Sequence, residues 1–180
     1  MRLLLACLFT ALVALPAGAR PLADTEEKTL SQAVDSYLRA TAGGDAEKIV
    51  ATIPPRVLNV FAGTAGIEAA KVQKALVDQT KGLLKTTKFT DFQSGKGPFD
   101  ATDSPMADGT TVTWLFVPTE FTTETKGKKT RLKQPLLALE EAGKWYFTRI
   151  DGPQQKQLVG FAYPFIDKAT LPEASSTTLP

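Results

Sequence analysis

Four polar residues stand within or beside apolar runs in the second half of the chain: Glu120, Arg131, Tyr146 and Arg149. If they converge at the mouth of a pocket, the arginines are two-donor clamps for a carboxylate or an amide-bearing ligand, and Glu120 and Tyr146 supply the complementary groups. The competing reading is cross-strand pairing on a solvated face. Trp114 is an apolar residue of the same region and joins them as a candidate ligand contact. The chain has no histidine and a single cysteine, Cys7. Catalysis by Ser-His-Asp or Cys-His sets and zinc sites built from Cys or His are therefore excluded. Any chemistry must rest on Asp, Glu, Lys, Tyr or Ser. Asp91, Asp100 and Asp103 lie near expected strand ends and are weak general-base candidates. No spacing sets a carboxylate in an apolar site beside an oxyanion donor, so no catalytic residue, cofactor or metal ligand is assigned.

These residues are carried by the block Thr110 to Gly152, in which three apolar runs are separated by two tight polar connections. Val112, Trp114 and Phe116 alternate with Thr113, Leu115 and Val117, so the first strand is apolar on both faces. Pro118 marks an edge or a bulge. Lys126 to Lys129 is a soluble hairpin tip, and return strands follow around Leu132 to Leu139 and Lys144 to Ile150. One face of this meander takes helices. The other needs a second cover, either a helix after Pro153 or a second subunit.

The first half supplies helices. Leu30, Ala33, Val34, Tyr37 and Leu38 form one helical stripe, capped by Asp24 with Glu27 and ended by Gly43-Gly44. Tyr37 reads as a half-buried core tyrosine. Asp45 caps a short second helix, and Pro54-Pro55 stops it. A short helical turn follows around Val57 to Phe61, and a longer helix runs from about Ile67 to Lys85. A first strand is expected at Thr86 to Gln93 and a short one near Pro98 to Thr102. Leu158, Phe161, Ala162 and Phe165 are helically spaced, with Pro164 as a kink. The Ser, Thr and Pro residues of Leu171 to Pro180 predict a disordered tail. Helices first and a strand meander after them make an α+β fold. Its N-terminal helices pack on a strongly curved antiparallel sheet, with a C-terminal helix added.

Residues 1–19 read as a secretory signal peptide: Arg2, the apolar run Leu3 to Leu15, then Ala17-Gly18-Ala19. That run is too short to span a bilayer. Leu4-Leu5-Ala6-Cys7 is a poor lipoprotein box, with too little chain before the cysteine. The expectation is a periplasmic or secreted protein whose domain covers 20–168 and whose tail covers 169–180. Its mature form has no cysteine and hence no disulfide. The full chain has 21 basic and 19 acidic residues, and loss of Arg2 leaves a surplus of one. That balance argues against nucleic acid as a partner, and no membrane span is expected.

SYLRATAGGDAEKIVATI, with Tyr37, Gly44 and Asp45, resembles the opening of nuclear transport factor 2-like domains. GKWYFTRIDG resembles the final strand of their small exported members. The resemblance covers Asp24 to Asp151 and implies a cone of helices and curved sheet open at one end. It implies binding of a small molecule or a protein partner without catalysis, through the cone pocket or the sheet face. It also admits a cofactor-free isomerase, dehydratase or hydrolase, in which Tyr37 would donate to a developing oxyanion. A third form it admits is a structural module, a homodimer through the sheet. The export reading predicts that mass spectrometry of the mature protein finds Arg20 as its first residue; an acylated Cys7 refutes it.

Overall fold

Two prolines divide the sheet. Val112–Val117 and Phe121–Thr125 alternate as strand sequences should, but Pro118 between them has no amide hydrogen to give a neighbour. A computed structural model, which describes residues 18–180, places the break there. The expected signal peptide, and Cys7 with it, lies outside the described residues except for Gly18 and Ala19. Strand β4 (Thr111–Val117) and strand β5 (Thr119–Thr125) are one run of chain bent at Pro118. Strand β6 (Lys128–Lys133) and strand β7 (Leu136–Glu141) are another, broken at Gln134-Pro135. The tip between them, Lys126-Gly127, has φ of 52° and 78° at its two residues, the left-handed values that a tight hairpin of matching twist needs.

The two runs pair along their whole length, Val117 opposite Leu136 and Glu120 opposite Lys133. In that register Pro118 falls opposite Pro135. A third run breaks at the same level: β2 (Thr87–Ser94) pairs with β5, and β3 (Asp100–Pro105) pairs with β4. The result is two antiparallel sheets. One has the order β1-β3-β4-β7-β8, with β1 at Ala19–Pro21 and β8 at Lys144–Thr148; the other has the order β2-β5-β6-β9, with β9 at Ser175–Thr178.

Apolarity on both faces of β4 has a direct structural cause. Leu115 and Val117 pack with Leu136, Ala138, Trp145 and Phe147 against Leu30, Val34 and Leu38 of α1 (Asp24–Ala42). Val112, with Leu137 and Leu139, packs on the opposite side against Val57 of α3 (Pro55–Ala65), Val159 of α5 (Pro153–Ala162), and Tyr163 and Ile166. Trp114 and Phe116 border this second cluster. Residue 166 lies in a 3-10 helix, Pro164–Lys168, which takes over where Pro164 ends α5. The five-stranded sheet is thus covered on both faces by its own chain. The short α2 (Ala46–Val50) and α4 (Ala69–Thr86) pack on one another, with α4 also against α3; Val72 is the only residue of α4 that is buried.

Three expectations are corrected. The N-cap of α1 is Ala23, not Asp24, and Glu26, not Glu27, closes the box by accepting the Ala23 N–H at 2.8 Å. The shift follows from Arg20, which grips both oxygens of Glu26 at 2.8 Å and so fixes which carboxylate faces the helix start. The third helix is a full Pro55–Ala65 rather than a single turn, because Gly63 lies within it and Gly66, at φ 63°, ends it. Leu171 to Pro180 is not a disordered tail throughout, since Ser175–Thr178 adds β9 to the edge of β6. A strand held by main-chain bonds needs no apolar side chains, so its composition carried no signal.

Trp145 is 5% exposed and its Nε1 donates to Thr29 Oγ1 at 3.1 Å, joining sheet to helix. Phe161 is 69% exposed. Trp145→Ala is expected to lower unfolding free energy in urea by about 3–5 kcal/mol, whereas Phe161→Ala is expected to change it by less than about 0.5 kcal/mol.

A candidate binding cleft at the break in the sheet

The paired prolines explain why a cleft exists. Gln134 N donates to Thr119 O at 2.9 Å, so Thr119 and Gln134 are a hydrogen-bonded pair, and Pro118 opposite Pro135 is a non-hydrogen-bonded one. Each proline's missing donor therefore affects its outer neighbour rather than its partner. On one side Gly95 N reaches Pro118 O at 2.8 Å, and Pro118 has no N–H to return the bond. On the other side the β6–β9 register, continued, sets Glu173 opposite Pro135, where again no donor exists. The ladder starts only at Ser175, and Pro172 and Glu173 stand off as a wall.

The space enclosed has a volume of about 470 Å³. Phe116, Pro118 and Pro135 give it an apolar floor; Glu120, Lys133, Gln93 and Gln134 form a polar rim; Pro172 and Glu173 close one side. Its size and its mixture of apolar floor and few polar groups are those of a small-ligand site. Glu120 is held by two cations, Arg131 Nε at 3.4 Å and Lys133 Nζ at 3.7 Å.

Of the six residues singled out from sequence, only Glu120 lines this cleft, and Arg131 joins it as an ion-pair partner. Of the other four, Arg149 bonds two residues of the cleft's lining from the far side, and Tyr37, Trp114 and Tyr146 lie elsewhere. Arg149 lies on the opposite face, its guanidinium 4.9 Å from the Phe121 ring centre. Its NH1 donates to Gln134 O at 2.9 Å and to Thr119 Oγ1 at 3.0 Å. Strand β8 ends at Thr148, and the Arg149 side chain just beyond it reaches the bend. Trp114 donates from Nε1 to Ser104 Oγ at 3.0 Å and stacks on Phe165, with ring centres 5.2 Å apart. Tyr146 lies under the Lys144 ammonium, 4.8 Å from its ring centre. Tyr37 packs on Phe147 at 5.5 Å. Sequence reasoning missed Lys133, Gln93, Phe116 and Glu173. Lys133 had a usable signal, since it falls opposite Glu120 once the hairpin tip at Lys126-Gly127 is set.

Two smaller spaces follow α1 on the other face. One, of about 350 Å³, lies between Leu30 and Val34 of α1 and the link Ser94–Gly97; the other, of about 330 Å³, lies beside Leu38 and Phe92. Ser94 borders all three spaces. The link lies so close to α1 that a Cβ at Gly97 would come within 1.6 Å of Glu27 Oε1.

A tyrosine beside a carboxylate does occur, but elsewhere. The Tyr163 hydroxyl donates to Glu141 Oε1. Glu141 Oε2 accepts from Arg56 Nε at 2.8 Å, and Arg56 NH2 donates to Asp108 at 2.7 Å and to Thr110 Oγ1 at 3.1 Å. This chain borders none of the three spaces described. It ties α3, the β3–β4 turn, β7 and the start of the 3-10 helix together. Neither Arg56 nor Glu141 carried a sequence signal, because each meets its partner only through the tertiary fold. Among the weak base candidates, Asp103 is moved the wrong way for a base: the Arg20 guanidinium, at 2.6 Å, holds its carboxyl below the usual range. Asp91 is exposed, at φ 55°, and accepts from Thr90 Oγ1 at 3.0 Å; Asp100 is also exposed. Among the described residues no group of three or more His, Cys, Asp or Glu is placed to hold a metal ion. No described helix is long and apolar enough to cross a membrane.

Compared with protein-family models, with curated proteins and with solved structures, the chain has no significant match.

Burial, with the Glu141 carboxylate as acceptor, pushes the Tyr163 hydroxyl far above its ordinary pKa of 10.0. A folded pKa above the unfolded one stabilises the fold fully below pH 10 and loses that contribution as pH rises beyond it. The stability difference between wild type and Tyr163→Phe is therefore expected to be about 1–2 kcal/mol at pH 8 and to shrink above pH 10 in urea titrations.

Proposed function

We propose that this chain is a non-enzymatic binding domain, exported after cleavage near Ala19, whose site is the cleft at the proline break. The observation that carries the reading is the pairing of a floor made by Phe116, Pro118 and Pro135 with a rim of opposite charges, Glu120 and Lys133. The ligand class that fits is a small molecule or a short peptide segment with an apolar body and both a cationic and an anionic or amide group. Glu120 receives the first and Lys133 the second, each exchanging its present partner for the ligand. Glu120 stands 3.4 Å from Arg131 Nε and 3.7 Å from Lys133 Nζ, an arrangement of charges suited to recognising a ligand that carries both signs.

The nuclear transport factor 2-like plan is part of the proposal. It draws support from three features: α1 runs through Gly43-Gly44 into a short α2; Asp45 caps that helix by accepting the Lys48 N–H at 3.0 Å; and the antiparallel strands bend together along one line. A cone opening at that bend is how the plan would frame the cleft. Export rests on the sequence pattern of residues 1–19. Cutting after Ala19 would take that residue from the start of β1, where it pairs with Thr102, and would leave the bonds of Arg20 to Glu26 and Asp103 in place.

The test is a titration of isotope-labelled protein with a library of small zwitterionic and amide fragments, read by amide NMR shifts. Shifts are expected at Gln93–Gly95, Phe116–Glu120 and Glu173, and Glu120→Gln is expected to weaken a bound fragment about tenfold. Shifts confined to α1, or none at all, would sink the reading.

A further inference from the structure

Strand β9 is attached in an unusual way. All four of its side chains, Ser175 to Thr178, are exposed. Apolar burial therefore does not hold it, and the main-chain ladder to β6 must. Leu179 N donates to Lys129 O at 3.0 Å, which fixes the parity of that ladder. Arg131 with Thr177 and Lys133 with Ser175 are the hydrogen-bonded pairs, while Thr130 with Thr178 and Leu132 with Ser176 are the non-hydrogen-bonded ones. Upstream, Tyr163 and Ile166 are fully buried and anchor the chain to the body. Between anchor and strand, 169–174 contains no helix or strand.

A strand recognised only by its backbone is recognised equally well when it comes from another copy. Exchange changes no contact; it gives up only the tether, whose effective concentration is on the order of millimolar for a short link. We propose that the β6 edge is a strand-acceptor site filled by Ser175–Thr178 of its own chain or, reciprocally, of a second copy of this chain. Pro172 and Glu173 directly precede the strand and wall the cleft. In the exchanged pair each copy therefore completes its partner's cleft. That last point rests on the cleft being a binding site; the exchange itself does not.

Disulfide trapping tests the exchange without reference to any ligand. Thr130→Cys with Thr178→Cys, in a Cys7→Ser background, puts two thiols at a non-hydrogen-bonded pair, where cross-strand Cβ atoms come closest. Oxidation at micromolar protein is expected to give a monomer closed by an internal bridge. Incubation at about 1 mM before oxidation is expected to give a growing share of covalent dimer. Only internal bridges at every concentration, or no bridge at all, would overturn the proposal. A second pair of variants tests main-chain recognition. Adding Thr177→Pro removes a ladder donor and is expected to abolish both products, whereas Ser176→Pro, whose N–H points away from β6, is expected to keep them. Equal yields from the two proline variants would refute recognition through the backbone.

Discussion

The absent amide hydrogens of Pro118 and Pro135 are the constraint on which the rest of this molecule depends. Because they fall opposite one another in a non-hydrogen-bonded pair, the hairpin that carries them survives intact. The deficit is exported sideways, to Gly95 on one flank and to the stretch before β9 on the other. That one deficit separates two sheets and lines a cleft with apolar ring atoms. Beside the break, Arg149 adds a side-chain donor to the Gln134 carbonyl. Bend and candidate site have a single cause.

Around that break, the energetics are divided between the two faces. The α1 side is a mainly aliphatic core with Trp145 and Phe147 at its edge. The opposite side is closed by chain segments from both halves of the sequence, α3 from the first and α5 with the 3-10 helix from the second. Long-range closure of this kind needs more than apolar area to set its alignment. The Arg56–Glu141–Tyr163 chain supplies direction, since each of its hydrogen bonds is charge-assisted. Removing Glu141 leaves the buried Tyr163 hydroxyl without its acceptor, a loss that counts for more in deletion than in net stability.

What was legible in the sequence follows from the range of the interaction concerned. The stripe Leu30, Val34, Leu38 and the alternation through Val112 to Val117 are local patterns, and both the α+β class and the two-sided burial of β4 were readable from them. Pro118 was readable as an interruption, an edge or a bulge, because a single residue decides it; that Pro135 falls opposite it and three runs break together needed the register. The candidate site was legible only in part. Glu120 and Arg131 stand out as charges among apolar residues, but Arg149 and Tyr146 stand out for the same reason and lie on other faces. A charge in a strand says that a face is polar or a bond is needed, without saying which. Lys133 required a register, Arg56 a tertiary fold, and Glu173 a strand whose polar composition resembles that of a loop. The two-residue periodicity also fails at the break itself, which is where the cleft lies.

Ser94 and Gly95 sit where the break meets both faces of the molecule. They border the large cleft on one side and the smaller spaces along α1 on the other. Gly95 is tied to Pro118 by one bond with no return bond, and a Cβ there would approach the proline ring to 3.0 Å. The segment is thus a thin partition, paired to β5 at Ser94, bonded to Pro118 at Gly95 and too tight there to thicken. A wall of this thickness means that a side chain added at position 95 would alter the spaces on both of its sides.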